Sequence, residues 1–197
     1  MLGAVVFLLD TFLGVFALAL LMRFYLQLMR APVRNPLSVF VAALTDWIVV
    51  PTRRVVPGLF RIDLSTLVLA WLTELILLAL EQMLLALKQM LLGIGAIPPV
   101  APALGLLAVV AAIQLIKLST WILIVAVVVQ AALTWVAPYS PAMPVLNSLT
   151  RPFLSVFRKR IPPVGNVDLS PLFVLVVCQL LLYLIAYAET SLIRGFE

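Results

Sequence analysis

The sequence contains no histidine and only one cysteine, Cys178, in 197 residues. Without imidazole there is no ordinary general base near neutral pH, no Cys/His zinc set and no histidine ligand for haem. One cysteine cannot close an internal disulfide, and inside an apolar run it reads as a small buried hydrophobe. Charge is scarce too: 11% of residues are charged, against about a quarter in soluble domains. With 65% apolar residues and a mean hydropathy of +1.24, the chain cannot cover a water-facing surface and belongs in a bilayer. No cofactor, metal or nucleic-acid partner is expected. Residues 1–9 hold no Lys or Arg, so the basic start of a cleavable signal peptide is also missing and the first apolar run reads as a retained span.

What is present is four apolar blocks, about 4–29, 64–92, 103–136 and 167–190. At 1.5 Å per residue, about 20 residues cross a ~30 Å hydrocarbon core. The first and last blocks fit one span each, and the second is long enough to project. The third is too long for one ordinary span, so an interfacial or broken helix is expected near 103–117, ahead of a span near 118–136. The expectation is an all-α membrane protein of about four transmembrane helices, with five spans as the alternative. "GIGAIPPVAPALG" (93–105) reads as a Pro/Gly linker between a first half, 1–92, and a second, 106–197.

The halves repeat. A shift of 105 residues, without gaps, carries Pro36 onto Pro141 and Leu44-Thr45 onto Leu149-Thr150. It carries Arg53-Arg54 onto Arg158-Lys159, Pro57 onto Pro162 and Asp63-Leu64-Ser65 onto Asp168-Leu169-Ser170. Each half reads as span, short hairpin, span. Two spans per half is an even number, so both halves share one orientation and both hairpins lie on one side, a parallel repeat. Arg30, Arg34, Arg53, Arg54 and Arg61 fall in the first hairpin region, and Arg151, Arg158, Lys159 and Arg160 in the second. That is nine of the 13 basic residues, so the positive-inside rule assigns both hairpins to the cytoplasm and both termini to the periplasm.

"NPLSVFVAALTDWIVV" (35–50) is too short to span between Pro36 and Pro51, and Ser38, Thr45 and Asp46 share one helical face. It reads as a helix lying in, or dipping into, the interface, with 141–157 as its counterpart. The basic cluster Arg53, Arg54, Arg158, Lys159 and Arg160 follows at the water boundary, where arginine can grip phosphate with two donors. Asp63 with Ser65, and Asp168 with Ser170, then supply acceptors for the free N–H groups of the returning helix.

One carboxylate lies deep. Glu74 is about 16 Å past Asp63 along a helix, near mid-membrane, and the repeat sets Gln179 at the same depth. Two roles are open: a hydrogen bond between Glu74 and Gln179 across the pseudo-symmetry axis, or a proton or ion path lined by Glu74. Arg23 is the one cation close in depth, a candidate partner for Glu74.

"QLMRAPVRNPL", "LTDWIVVPTRRVVP" and "LTRPFLSVFRKRIPPVGNVDLSP" together resemble the YggT/YlmG family of small membrane proteins over nearly the whole chain. The first half departs from the family pattern at Asp46-Trp47 and Thr66, and the usual Gly-Gly ahead of the aspartate is Arg61-Ile62 and Asn166-Val167. The resemblance implies a multi-pass protein of the bacterial inner membrane, linked to osmotic-stress tolerance, cell division, membrane organisation and cytochrome assembly, with no catalytic residues to carry over. The expectation is a non-enzymatic scaffold or assembly factor. Its basic hairpins would contact anionic lipid, a membrane-protein partner or further copies of the chain. A small cation channel using Glu74 is the alternative.

Overall fold

In hydrocarbon the backbone has no water to bond, so a long apolar run satisfies its N–H and C=O groups internally, as helix. The computed structural model describes residues 2–32, 35–56, 63–91, 100–160 and 168–194. Those residues form α1 (Leu2–Leu28), α2 (Pro36–Thr52), α3 (Leu64–Leu91), α4 (Val100–Val136), α5 (Met143–Arg158) and α6 (Ser170–Arg194), with no strand among them. Four segments are long and apolar enough to cross a membrane: Gly3–Leu28, Leu64–Leu91, Leu104–Val136 and Ser170–Leu192. The chain is an all-α membrane protein of four candidate spans, with a short helix after the first and after the third.

The expected break near 103–117 is absent. Helix α4 runs without interruption for 37 residues, and the helix begins at Val100, inside the stretch read as a linker. Pro102 falls in its first turn, where a missing N–H has no intrahelical partner to lose. At about 55 Å the helix is longer than the hydrocarbon core, so it tilts or projects and has no need to fold back. The five-span alternative has no break to support it. The rest of that linker, and Pro57, Pro162, Arg34 and Arg61, lie outside the described residues.

Helix α1 packs on α3, α3 on α4, and α4 on α6. Leu20, Leu21, Val49, Ala70 and Leu115 form one buried cluster, and Ile124, Val127, Leu154, Val174 and Cys178 another. Cys178 is the small buried hydrophobe expected. Between spans this burial gains van der Waals fit more than escape from water, so shape governs the packing. A third cluster joins Leu26 and Ala31, at the end of α1, to Val145 and Leu149 of α5. Both short helices therefore sit at one end of the bundle. Positions related by the 105-residue shift are buried alike: Val41 and Leu146, Thr45 and Thr150, Val49 and Leu154, Ser65 and Ser170, Leu69 and Val174.

The two short helices differ in what they turn outward. Helix α5 buries Val145, Leu146, Leu149 and Leu154 and exposes Asn147, Arg151 and Arg158, as suits a helix at a water boundary. Helix α2 exposes Val39, Phe40, Trp47 and Val50. Its outer face is apolar apart from Asp46, which is exposed and pairs with Arg23.

Candidate functional site

The hairpin ends are built from the chain entering them. After α1, Asn35 caps α2 from an extended conformation: its Oδ1 accepts from the Ser38 N–H (2.8 Å) and its Nδ2 donates to Ser38 Oγ (2.7 Å), with Pro36 opening the helix. About two turns past Ser38, Thr45 is fully buried. Its hydroxyl donates to the Val41 carbonyl (2.7 Å) and accepts from Arg23 Nη1 (2.7 Å). The same nitrogen lies 2.7 Å from Asp46 Oδ1. Arg23 is thus held by α2 and is no partner of Glu74. Depth along the sequence matched those two residues, but α2 folds back against α1 and brings nearer acceptors.

The second half uses other residues for the same purpose. Gln130 of α4 donates to Asn147 Oδ1 (2.6 Å) and offers its Oε1 to Thr150, which also lies 2.8 Å from the Leu146 carbonyl. Thr45 and Thr150, related by the shift, each dock a short helix to a polar group of the preceding span. Gln130 and Asn147 escaped sequence reasoning because the shift maps them onto Tyr25 and Ala42, which carry no matching polar group.

The shift also relates two ion pairs. Arg53 Nε donates to Asp63 Oδ2 (3.0 Å), with Nη2 on the same oxygen; Arg158 Nε donates to Asp168 Oδ2 (2.7 Å). Each pair ties the end of a short helix to the residue just ahead of the returning span. Gln27, with its amide turned to satisfy its neighbours, donates to Asp63 Oδ2 and accepts from Arg53 Nη2, both at 2.8 Å. Ser65 Oγ donates to Asp63 Oδ1, Thr66 Oγ1 donates to the Asp63 carbonyl (2.8 Å), and the Ser170 N–H donates to Asp168 Oδ1 (2.9 Å). Asp168 thus accepts a helix-start N–H, whereas Asp63 accepts the Ser65 hydroxyl, and neither serine hydroxyl accepts a helix N–H among the described residues. Both aspartates also clasp an arginine ten residues upstream. Burial alone would raise the Asp63 pKa, but hydrogen bonds from Arg53 and Ser65 and the Arg53 charge hold it below the ordinary value. Asp168 is lowered likewise: burial opposes, while Ser170 and Arg158 outweigh it.

Of the five basic residues singled out, Arg53 and Arg158 are engaged in these clasps, though each stays nearly half exposed. Arg54, Lys159 and Arg160 are exposed and form no ion pair among the described residues. Ser65 and Ser170 are buried. Glu74 is buried on α3 (5% exposed), with Asp10 and Glu81 as its charged neighbours. Gln179 does not meet it. Helix α6 packs on α4 and α5 and not on α3, so Gln179 faces outward at mid-span, and the expected Glu74–Gln179 hydrogen bond is not formed. At the opposite end of the bundle, Lys117 and Gln114 of α4 hold Glu189 of α6. Among the described residues no group of three His, Cys, Asp or Glu side chains is placed to hold a metal.

The sequence profile of the CCB3/YggT family matches residues 2–85 and 109–188, taking in both clasps and both short helices. The chain belongs to the CCB3/YggT family. Among relatives, an uncharacterized protein of Pseudomonas aeruginosa is 37% identical over 180 residues, covering 90% of this chain and 86% of that protein. The uncharacterized protein YggT of Escherichia coli is 31% identical over 190 residues, covering 96% and 90%. A Vibrio alginolyticus relative, also uncharacterized, is 29% identical over 174 residues, covering 88% of each chain. No solved structure matches.

Proposed function

We propose that this YggT-family chain is a non-enzymatic organiser of the bacterial inner membrane. Two parallel halves present their basic hairpin ends to the cytoplasmic leaflet, and both termini face the periplasm. The observation that carries the reading is the paired clasp. Arg53–Asp63 and Arg158–Asp168 occupy equivalent places, and each leaves its neighbours, Arg54 or Lys159 with Arg160, exposed beside it. The packing of α5 against the end of α1 supports a single basic end. Each such residue near an anionic leaflet contributes about 1 kcal/mol. The working surface then gathers anionic lipid, while outward spans dock other helices in the membrane. Helix α6 supports that second part: Leu172, Val176, Leu180 and Tyr183 are exposed, and the Gln179 amide on the same helix could bond its counterpart in a second copy. The roles in osmotic-stress tolerance and division implied by the family resemblance fit an organiser of this kind. The test is the immobilised fraction of spin-labelled phosphatidylglycerol against phosphatidylcholine around reconstituted protein. Selectivity for the anionic lipid is expected, falling toward parity in the Arg54→Ala/Lys159→Ala/Arg160→Ala variant. Equal selectivity in both proteins would remove the reading.

A second reading rests on Glu74, a buried carboxyl at mid-span with no hydrogen-bond partner among the described residues. In this reading the chain is a small cation pathway, gathered as an oligomer. Potassium or proton flux in liposomes that Glu74→Gln abolishes would establish it.

A further inference from the structure

Between the end of α1 and the first half of α2 lies a cavity of about 520 Å³. Arg23, Gln27, Arg30 and Ser38 give it a polar side, and Leu26 and Val41 an apolar one. None of the exposed hairpin cations Arg54, Lys159 and Arg160 lines it. We propose that this cleft is a binding site for the phosphate-bearing headgroup of a membrane lipid.

Three observations carry the proposal. The first is Arg30, whose φ of 50° lies in the left-handed region. It closes α1 in a Schellman turn, with the Ala31 N–H on the Leu26 carbonyl (2.9 Å) and the Arg30 N–H on the Gln27 carbonyl (3.1 Å). Glycine is the usual residue there, and an L side chain costs about 1 kcal/mol. The chain holds a long cation where backbone geometry favours none, and that side chain lines the cavity. The second is Arg23. One guanidinium nitrogen serves Thr45 and Asp46, while Nε and Nη2 have no protein acceptor among the described residues. The side chain is one-tenth exposed and lines the cleft. Asp46 balances the Arg23 charge, and the Arg53–Asp63 pair beside Gln27 is neutral, so among the described residues Arg30 leaves the cleft with one net positive charge. The Ser38 hydroxyl accepts from Asn35 and keeps its own proton to donate.

The third observation is shape. Arg23 and Arg30 are seven residues apart, about 10 Å along the axis, with Leu26 and Gln27 lining the wall between them. An inorganic phosphate would meet only the polar side. A phosphodiester continuing into glycerol and acyl chain matches both, with the phosphate on Arg30 and the ester region passing Leu26 and Val41 toward Arg23. The second half builds no equivalent cleft from these residue types: the shift maps Arg23, Arg30 and Ser38 onto Val128, Trp135 and Met143. The site is therefore distinct from the repeated basic ends, and it stands or falls separately from the surface reading above.

The test uses purified full-length protein, native mass spectrometry and water-soluble dihexanoyl phosphatidylglycerol as probe, with inorganic phosphate as the second arm. Arg30→Gly removes the cation and relaxes the turn, so the fold is kept. One saturable lipid per chain is expected, weakened about five- to tenfold in Arg30→Gly and in the cleft-filling Ala42→Leu, but unchanged in Arg54→Ala/Lys159→Ala/Arg160→Ala. Unchanged affinity in Arg30→Gly, in protein at least as thermostable as wild type, overturns the proposal. So does inorganic phosphate displacing the lipid at equal concentration, which would assign the cleft to a free anion.

Discussion

The two clasps look alike in sequence, yet their surroundings differ, and so should their worth. Asp63 is about one-tenth exposed and accepts from Arg53, from Ser65 and, in its satisfied orientation, from Gln27. Replacing it with alanine removes several charge-assisted hydrogen bonds at once. Arg53 is nearly half exposed and can turn to water, so the loss is set by the bonds broken, at about 2–3 kcal/mol. Asp168 is 40% exposed, accepts from Arg158 and the Ser170 N–H, and faces an equally exposed arginine. Solvent screening limits Asp168→Ala to about 1 kcal/mol. Thermal unfolding in one detergent, read for both variants and for the Arg53→Ala/Asp63→Ala and Arg158→Ala/Asp168→Ala cycles, measures the difference. Coupling is expected to be larger in the first cycle than the second. Equal costs, or no coupling between Arg53 and Asp63, would refute the reasoning that burial and donor count set the strength of the clasp.

Both aspartates titrate below their ordinary value of 3.8, so their contribution is complete above about pH 4 and is lost as pH falls through the lowered native values. The melting temperature should drop below pH 4, and by less in Asp63→Asn, in a scan across pH 2–6. Thr150→Val leaves the Gln130 carbonyl oxygen without its hydroxyl donor at a buried site and should cost about 1 kcal/mol in detergent unfolding, with Gln130→Leu/Thr150→Val recovering part of it. Gln179→Leu should weaken self-association by about 0.6–2 kcal/mol without lowering thermal stability, as read by dilution-dependent energy transfer between labelled copies in liposomes.

Much of the architecture was legible because spans are set by length and apolarity, which the sequence displays directly. The shift of 105 residues was legible from prolines and polar residues, and it carries the clasp aspartates and the docking threonines. What escaped depends on faces and folding back. A pair ten residues apart, Arg53 with Asp63, has no helical periodicity to announce it, because the chain reverses between them. Depth counting matched Arg23 to Glu74 by height, but α2 supplied closer acceptors. Gln179 shares the depth of Glu74 and not its direction, because α6 packs away from α3. The length of the third apolar run suggested a broken span, but α4 is one continuous helix of 37 residues that tilts or projects.

In the proposed topology the two hairpin ends form one basic surface on the cytoplasmic side. Maleimide labelling of Arg54→Cys and Lys159→Cys, each made with Cys178→Ser, tests it in sealed vesicles of both orientations. Both positions should label only from the cytoplasmic face. Labelling from opposite faces, or of both from the periplasmic face, would contradict the account.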